Sequence, residues 1–412
     1  MTAFVHPEPY DLNLRHLRAA AAIRRCGSIS RAAGQVALSQ PALTQGIAKL
    51  EGQIGFRLFD RGSTGMAVTE AGSRLADRVD VAGAAMTAAF DAIRGGSKSG
   101  FRGTENLVTM SQVRALLALA AAGSFVKAAQ DSGLTQPSLH RAVRDVERLS
   151  GVALVERRGR GVRLTWAGQR LARGFSLAID EIQAALDELL ALAGIDSGRI
   201  RIGAMPLARA RLLPLSIARF HRERPTVRIE VVEGPHAELL EQLRDGRLDF
   251  LIGALRQPPP GPDVEQEPLF DDRLVVVAGS GHPLARAGRI GLERMAEHPW
   301  VIARPGTPLR QLWRRLFETR GLKVPAAPVV CGSVLTIRGL LIQGDFLTLL
   351  SPHQVRDDVA SGALAMIGDP IEETRRPIGL TTRADWRPAP AQKQFVELLR
   401  AMTSDPTLQG IE

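Results

Sequence analysis

At 412 residues the chain is longer than a single core usually organises, so two or three domains are expected. Hydrophobic residues make up 45% and charged residues 23%, which is typical of a soluble globular protein, and no apolar run approaches the roughly 18 residues of a membrane span. Two cysteines far apart in sequence and eight histidines without ligand spacing argue against a disulfide scaffold and a metal site, so no cofactor is predicted. The first twenty residues contain no apolar signal core, which predicts a cytoplasmic protein.

The positive charge is concentrated in one part of the chain. The formal net charge of +10 favours nucleic acid as a partner. Residues 107–174 hold 11 Lys and Arg against 4 Asp and Glu, whereas residues 175–197 hold five acids and no base. A merely solvated surface would not require such a division.

Residues 14–75 are repeated at 110–171, at an offset of 96 positions and without a gap. About a third of the aligned positions are identical, including the pairs Gly-Ser, Ala-Ala and Gln-Pro. Chance similarity does not keep register over that length, so the chain contains an internal duplication. We refer to residues 12–69 as the first copy and to residues 107–165 as the second copy.

Each copy predicts two helices separated by a turn. In the second copy, Ser124 can cap a short helix that Gly133 ends, and Thr135 can cap the next. This next helix has an inward apolar stripe of Leu139, Val143 and Val146, while its other face is polar. The candidate DNA contacts on and just before this helix are Thr135, Gln136, Pro137, Ser138, His140, Arg141 and Arg144, and in the first copy Ser39, Gln40, Pro41, Thr44, Gln45 and Lys49. The alternative is a pair of helical bundles with solvated polar faces.

A basic hairpin follows the second helix. The sequence "GVALVERRGRGVRLT" combines turn glycines with four arginines, of which Arg158 and Arg160 are the candidate phosphate contacts. In the first copy the wing itself reads "DRGSTGMAVT", in which Arg61 is the only basic residue. A basic hairpin beside such a helix is typical of a winged helix, in which the helix contacts base edges and the wing contacts phosphates.

These motifs resemble the winged helix-turn-helix of LysR-type transcriptional regulators. The matching features are the Ala-Ala pair, the (Ser/Thr)-Gln-Pro-x-Leu helix start, the Leu-(Phe/Val)-(Asp/Glu)-Arg strand and the Thr-x-Ala-Gly segment, and both copies carry them. Family members usually have one such head, so the duplication is a departure. The resemblance implies a sequence-specific regulator, not an enzyme, that binds promoter DNA under the control of a small-molecule effector and forms a homo-oligomer.

A heptad-like seam follows each copy and predicts a linker helix at 70–94 and another at 166–194. The seam positions alternate spacings of four and three: Leu75, Val79, Ala82, Met86, Ala89 and Ile93, and then Leu171, Phe175, Ala178, Ile182, Ala185 and Leu189. In LysR-type dimers this helix pairs antiparallel with the same helix of the other subunit. Since a flexible connector at 95–106 could extend roughly 40 Å, we predict that the two linker helices pair within one chain.

The remaining half, residues 198–402, alternates strand-like and helical runs. This alternation predicts a largely parallel sheet with helices on both faces. Two crossings would divide it into lobe I, residues 198–272 and 370–402, and lobe II, residues 273–369, as in periplasmic-type binding proteins. The resemblance to LysR-type effector domains covers nearly all of this half.

A ligand in that fold lies between the lobes, where helix N-termini favour anions. Carried over by position, the candidate effector contacts are Met205, Pro206, Leu207, Arg209, His236, Thr307, Leu309, Ser333 and Thr336. Many family members have a hydroxyl residue after the first strand, whereas Pro206-Leu207-Ala208 supplies none. A carboxylate could be held by Arg209, Arg211, Arg304 or Arg310, although a surface arginine is the commoner case.

Other function classes remain weaker on the sequence. No Ser–His–Asp ordering, phosphate loop or Rossmann glycine pattern supports an enzyme. A solute-binding protein is opposed by the missing signal and the basic copies. A redox sensor would require two nearby thiols, and the second half contains only Cys331. A DNA-binding regulator without a small-molecule ligand stays open.

Overall fold

The computed structural model describes residues 7–62, 65–94, 103–159, 161–288 and 290–404, except for the side chains of residues 61, 62, 65, 158, 209 and 404. The two copies have the same order of elements, three helices, a two-stranded hairpin and one long helix. The first copy and its linker comprise α1 (Leu14–Cys26), α2 (Ile29–Gln35), α3 (Gln40–Ile54), β1 (Phe59–Gly62), β2 (Gly65–Val68) and α4 (Glu70–Arg94). The second copy and its linker comprise α5 (Met110–Ala122), α6 (Phe125–Ser132), α7 (Gln136–Ser150), β3 (Val155–Arg158), β4 (Gly161–Leu164) and α8 (Trp166–Leu192).

The helix starts and ends follow the local signals in the sequence. The Ser39 hydroxyl accepts a hydrogen bond from the Ala42 amide and caps α3, and the Thr135 hydroxyl caps α7 through the Ser138 amide. Both helices end at a glycine in the left-handed region, Gly55 and Gly151. The predicted inward residues of α3 and α7 are all buried: Leu43, Ile47, Leu50, Leu139, Val143 and Val146.

The long helices α4 and α8 pack antiparallel against each other within the chain. Phe90, near the end of α4, lies with its ring centroid 6.3 Å from that of Phe175, near the start of α8. Towards the other end, the Arg78 guanidinium of α4 donates to the carboxylates of Glu181 and Glu188 on α8. All twelve predicted seam residues are buried. The pairing that the repeat predicts is therefore present.

Two matching contacts tie the copies to each other. The Arg18 guanidinium of α1 donates to the carbonyls of Glu105 and Asn106, just before the second copy's first helix. Its counterpart Arg114 lies 5.6 Å over the ring of Tyr10, just before the first copy's first helix. Burial lowers the pKa of Arg18 to about 10, although Glu105 opposes the shift. Residues 95–102 of the expected connector lie outside the described residues, and 104–107 form a single 3-10 turn instead of a flexible segment.

The second half is built around a six-stranded sheet. Its elements in lobe I are β5 (Arg199–Ala204), α9 (Pro206–Ala210), α10 (Leu212–Glu223), β6 (Arg228–Glu233), α11 (His236–Arg244), β7 (Phe250–Ala254) and the last helix, α16 (Pro390–Ser404). Lobe II contains α12 (Leu292–Ala296), β9 (Val301–Ile302), α13 (Pro308–Glu318), β10 (Val329–Val330), α14 (Val334–Gln343), β11 (Thr348–Leu350) and α15 (Pro352–Ala360). The strands β8 (Val264–Gly279) and β12 (Leu364–Arg383) run through both lobes.

The prediction of a largely parallel sheet is confirmed only in part. The order in the six-stranded sheet is β11-β8-β12-β7-β5-β6, in which β5 is parallel to its neighbours β6 and β7, and in lobe II β9 pairs parallel with β10 outside this sheet. The strand β12 is antiparallel to both β7 and β8, and β11 is antiparallel to β8. The sequence pattern identifies the βαβ units, but the chain crosses between the lobes on β8 and returns on β12 in the opposite direction. The expected lobe boundaries, at 272/273 and 369/370, fall within these two strands.

Arg78 generates a prediction for stability. Its side chain is 4% exposed, and replacing it with Met leaves Glu181 and Glu188 partly buried without their cation. We expect Arg78→Met to lower the free energy of unfolding by about 3 kcal/mol, the lower end for a broken buried ion pair, because both acids keep some solvent contact. The measurement is the midpoint of urea-induced unfolding followed by circular dichroism.

The matched control is Arg74→Met on the same helix. Among the described residues Arg74 pairs only with Glu70, at the surface, so its loss should change stability by less than about 0.5 kcal/mol. Equal unfolding midpoints for the two variants would contradict the assigned role of Arg78.

Candidate DNA interface and effector site

The outward face of α7 presents cations that have no acidic partner. Arg141 and Arg144 are exposed, and neither forms an ion pair or hydrogen bond with any residue that the structure describes. Gln136, Pro137 and Ser138 are exposed at the start of the same helix. Such a face, one turn in from a capped helix start, suits contact with phosphates and base edges.

The equivalent face of α3 carries less charge. Gln40, Pro41, Gln45 and Lys49 are exposed, and Lys49 is the only cation among the candidates on this helix. Thr44 is half-buried, and its hydroxyl donates to the Gln40 carbonyl at 3.0 Å. The two faces therefore differ in charge although their backbones have the same order of elements.

Three of the predicted contacts have roles within the fold. His140 is half-buried, and its ring stacks on Phe125 of α6 with centroids 3.7 Å apart, so it joins α6 to α7 and is not freely exposed. The hydroxyls of Ser39 and Thr135 serve as helix caps. The prediction that His140 faces outward is therefore corrected, because Phe125 covers the ring.

The hairpin of the second copy pairs β3 with β4 in antiparallel register. Arg158 is opposite Gly161, and Gly159 adopts a positive φ of 58° at the turn. Arg163 is already paired with Glu156, which removes it from the free cations of the hairpin. Arg160 and the side chains of Arg158 and Arg61 lie outside the described residues.

Most predicted effector contacts stand at helix starts in the second half. Pro206 begins α9, His236 begins α11, and Thr307 and Ser333 cap α13 and α14. The Thr307 hydroxyl also donates to the Arg304 carbonyl at 2.8 Å, and Thr336 is exposed one turn into α14. The side chain of Arg209 lies outside the described residues.

Two of these predictions are corrected by the packing. Met205 is 8% exposed and belongs to the core of lobe I, where its side chain covers Gly253 so closely that a Cβ there would lie 2.3 Å from the methyl group. Leu309 packs partly against the core of lobe II. Leu207 is buried and lines the cavity where α10, α15 and α16 meet. Positions directly after a strand can turn inward or outward, which the sequence pattern does not distinguish.

The structure adds a cationic group that the sequence analysis missed. Arg256 lies just after β7, and its side chain has no hydrogen-bond or ion-pair partner among the described residues. Burial and the nearby Arg376 lower the pKa of Arg256. Burial, Arg256 and Arg244 lower the pKa of His236 to about 4, so this imidazole is neutral at pH 7. The sequence analysis considered the residues that follow β5. Considering those that follow β7 in the same way would have identified Arg256.

Arg376 and the residues around it connect the two lobes. The Arg376 guanidinium donates to one oxygen of Asp272 at 2.9 Å, and the Ser351 hydroxyl donates to the other oxygen at 2.5 Å. Asp272 is 2% exposed and lies on the crossing strand β8. Since Asp272 balances Arg376, Arg256 is the unbalanced charge at this junction.

Two further kinds of site were considered over the described ranges. No group of three or more His, Cys, Asp or Glu within them could hold a metal ion. No single described helix is long and apolar enough to cross a membrane, although α5 and α6 together, bent by 117°, reach the required length and composition.

Family models match both parts of the chain. The model of the bacterial regulatory helix-turn-helix proteins of the lysR family matches twice, at residues 14–73 and 110–169, and the LysR substrate binding domain matches residues 193–404. The chain belongs to the LysR family. It is thus a DNA-binding transcriptional regulator with an effector-binding domain.

Relatives of this LysR-family regulator share its length to different extents. The HTH-type transcriptional regulator GalR of Pseudomonas putida is 32% identical over 395 residues, which cover 95% of this chain and 98% of that protein. The regulator PcaQ of Agrobacterium fabrum is 29% identical over 279 residues, covering 67% of this chain and 89% of that protein. The match to GalR therefore runs through both copies.

Solved structures share the fold. A full-length OxyR variant from Pseudomonas aeruginosa aligns with a TM-score of 0.55 at 24% identity, covering 71% of this chain and 93% of that one. CbnR, a LysR family transcriptional regulator, aligns with a TM-score of 0.51 at 20% identity and covers 71% and 99% of the two chains.

The hairpins generate a prediction about salt dependence. Arg158→Ala with Arg160→Ala should weaken DNA binding and reduce the slope of log affinity against log salt concentration by up to about one unit per lost phosphate contact. Gel-shift titrations across a series of salt concentrations measure the slope. The matched change in the first copy, Arg61→Ala, should have the smaller effect. If Arg61→Ala abolishes binding while the double variant binds normally, the hairpin of the first copy, and not that of the second, makes the stronger phosphate contact.

Proposed function

We propose that both copies are DNA-binding winged helix-turn-helix heads, joined in one chain as an intramolecular counterpart of a family dimer. The observation that carries this proposal is the antiparallel pairing of α4 and α8. Each helix follows directly from one copy, so the pair presents both α3 and α7 from a single chain. The unequal charges of these two helices then offer different surfaces to two half-sites of promoter DNA.

Residue differences between equivalent positions of the two copies support the pairing of α4 with α8. They oppose the pairing of two α4 helices or of two α8 helices from different chains. Arg78 and Gly174 occupy equivalent positions in the repeat, and so do Ala85 and Glu181. Arg78 donates to Glu181 at 2.9 Å, whereas a Cβ at Gly174 would lie 2.9 Å from the Ala85 carbonyl oxygen. The repeat thus relates two contacts on the seam. One is an ion pair, and the other is a close approach of the two backbones.

Like pairs would not satisfy these residues. Two α4 helices in the same register would place Arg78 against Ala85, and two α8 helices would place Glu181 against Gly174. Each arrangement would bury a charge without its partner, which costs several kcal/mol. We infer that the seam selects α4 with α8, and the short tether favours the partner in the same chain.

The stoichiometry of DNA binding tests this proposal. At a DNA concentration far above Kd, we expect one chain to saturate each pair of half-sites in a bound promoter fragment. Native mass spectrometry or a fluorescence titration counts the chains. Two chains for each pair of half-sites, with one head of each chain off the DNA, would contradict it.

Variants of one helix test whether the two copies read different half-sites. Arg141→Ala with Arg144→Ala should remove footprint protection from one half-site and leave the other protected. The matched pair in the first copy, Gln45→Ala with Lys49→Ala, should affect the opposite half-site. Loss of both half-sites to the same degree from either pair would argue against separate reading.

We further propose that the effector is an anion, with a carboxylate as the favoured class, held between the lobes near Arg256. An unpartnered, half-buried guanidinium beside Arg376 forms a positive site that a carboxylate would neutralise. Arg209, on the short helix α9, remains a second candidate contact. The ligand would bridge lobe I and the crossing strands.

Response measurements test the effector site. Arg256→Met should raise the effector concentration at the half-maximal change in DNA binding by about 10- to 100-fold, the loss expected for a hydrogen bond to a charged group. The DNA affinity without effector should stay unchanged. The compounds are small carboxylic acids selected by thermal shift of the full chain. Arg247→Met is the control, because Arg247 is an exposed residue of the same lobe paired with Asp245. An unchanged response in Arg256→Met would place the effector elsewhere.

A further inference from the structure

Equivalent positions of α3 and α7 differ from the second turn onward. The first turns share the exposed pair Gln-Pro, at residues 40–41 and 136–137. Three later pairs of equivalent positions carry different side chains: Gln45 and Arg141, Ala48 and Arg144, and Lys49 and Asp145. The two helices are therefore alike where they begin and chemically different one turn later.

The first two of these pairs lie on the outward side of their helices. On α7, Pro137, Arg141 and Arg144 follow one another at spacings of four and three, so their side chains share one face. The buried residues of this helix occupy the opposite face. On α3, Gln45 and Ala48 stand at the equivalent exposed positions. When such a helix enters the major groove, this face meets the base edges.

Arg141 has the chemistry to contact guanine. Its side chain is exposed and has no ion-pair or hydrogen-bond partner among the described residues. In the major groove a guanidinium donates two hydrogen bonds to the O6 and N7 atoms of guanine, which is the commonest specific contact between a side chain and a base. Arg141 therefore favours a G·C pair.

Gln45, at the equivalent position of α3, has the chemistry to contact adenine. Its carboxamide is exposed, and such a group accepts a hydrogen bond from N6 of adenine and donates one to N7. Ala48 contributes only a methyl group where Arg144 contributes a cation. The first copy therefore favours an A·T pair at the position where the second copy favours a G·C pair.

We propose that the two half-sites differ in sequence, with a G·C pair facing Arg141 and an A·T pair facing Gln45. This inference rests on the proposed function, in which each copy contacts one half-site. Two identical helices would favour identical half-sites related by symmetry. The preferred DNA of this chain is instead asymmetric, so a bound chain has one orientation on it. The shared Gln-Pro start predicts that the half-sites keep a base pair in common.

Selection from a library of random DNA sequences with the full chain tests the proposal. We expect two half-sites that differ at this base pair. Replacing the G·C pair with A·T in the selected DNA should weaken binding by about 5- to 150-fold, the range for one bidentate base contact. Two identical half-sites bound by one chain would overturn this proposal alone, whereas enrichment of a single half-site would also overturn the proposed function.

Exchange of the two side chains assigns each preference to its residue. Gln45→Arg should change the first half-site to G·C, and Arg141→Gln should change the second to A·T, so either variant should select half-sites that agree at this base pair. Each substitution introduces the residue that the other copy already carries there, which favours an unchanged fold. Circular dichroism and the unfolding midpoint check the fold. An unchanged base preference in either variant would overturn the proposal.

The matched controls lie on α8. Gln169→Arg and Arg170→Gln make the same two chemical changes at exposed positions of the second linker helix. Both variants should keep the base preference of the unaltered chain. A changed preference in these controls would mean that added or lost charge alone sets the selected sequence, which would overturn the assignment to Gln45 and Arg141.

Contact with a phosphate is the alternative role for Arg141. In that case Arg141→Gln would weaken binding to every sequence alike and would reduce the slope of log affinity against log salt concentration by about one unit, without a change of preferred base. Gel-shift titrations with the selected DNA and with its base-pair variants, over a series of salt concentrations, distinguish the two roles. A uniform loss of affinity would overturn the proposal.

Discussion

The antiparallel contact between α4 and α8 is the constraint on which the rest of the structure depends. Each helix extends one of the two copies, so their pairing sets how α3 and α7 are presented. Arg78 lies at the centre of this constraint, because its guanidinium donates to two acids of α8 and also to the carbonyl oxygens of Arg387 and Pro388, at 2.9 and 3.4 Å. A single side chain thus contacts both linker helices and the second half of the molecule.

The acidic stretch at residues 175–197 gains a physical explanation from this arrangement. Asp180 of α8 accepts from the Arg201 guanidinium of β5 at 3.0 Å, and Arg201 also bonds to Asp249. Burial alone would lower the pKa of Arg201, but the two carboxylates outweigh it and raise the pKa. Burial raises the pKa of the neighbouring Asp187 to about 6. Such buried charges add little net stability, but they fix the position of α8 relative to β5. A displacement of β5 would therefore change its contacts with α8.

The sequence predicted those features that depend on neighbouring residues. Caps at Ser124 and Thr135, the end of α6 at Gly133, and the twelve seam positions all follow from local spacing, and the structure agrees with each. The direction of β8 and β12 could not be predicted in this way, because it depends on which distant strand each one pairs with. Arg256 was missed for a related reason: an arginine is common in any sequence, and only tertiary packing reveals that its side chain lacks a partner among the described residues.

Duplication within one chain relaxes a restriction that a symmetric dimer imposes. In a symmetric pair of identical helices, each contact across the seam occurs twice. An arginine at the position of Arg78 would then face an alanine on both sides and would have no acidic partner. Once both helices are encoded separately, Arg78 can face Glu181 while Gly174 faces Ala85. The same freedom extends to α3 and α7, the helices proposed to face DNA, where Gln45 in one copy corresponds to Arg141 in the other. Asymmetry at the seam fixes which helices pair, and in the proposed arrangement the different charges of α3 and α7 are then presented to the DNA in a fixed order.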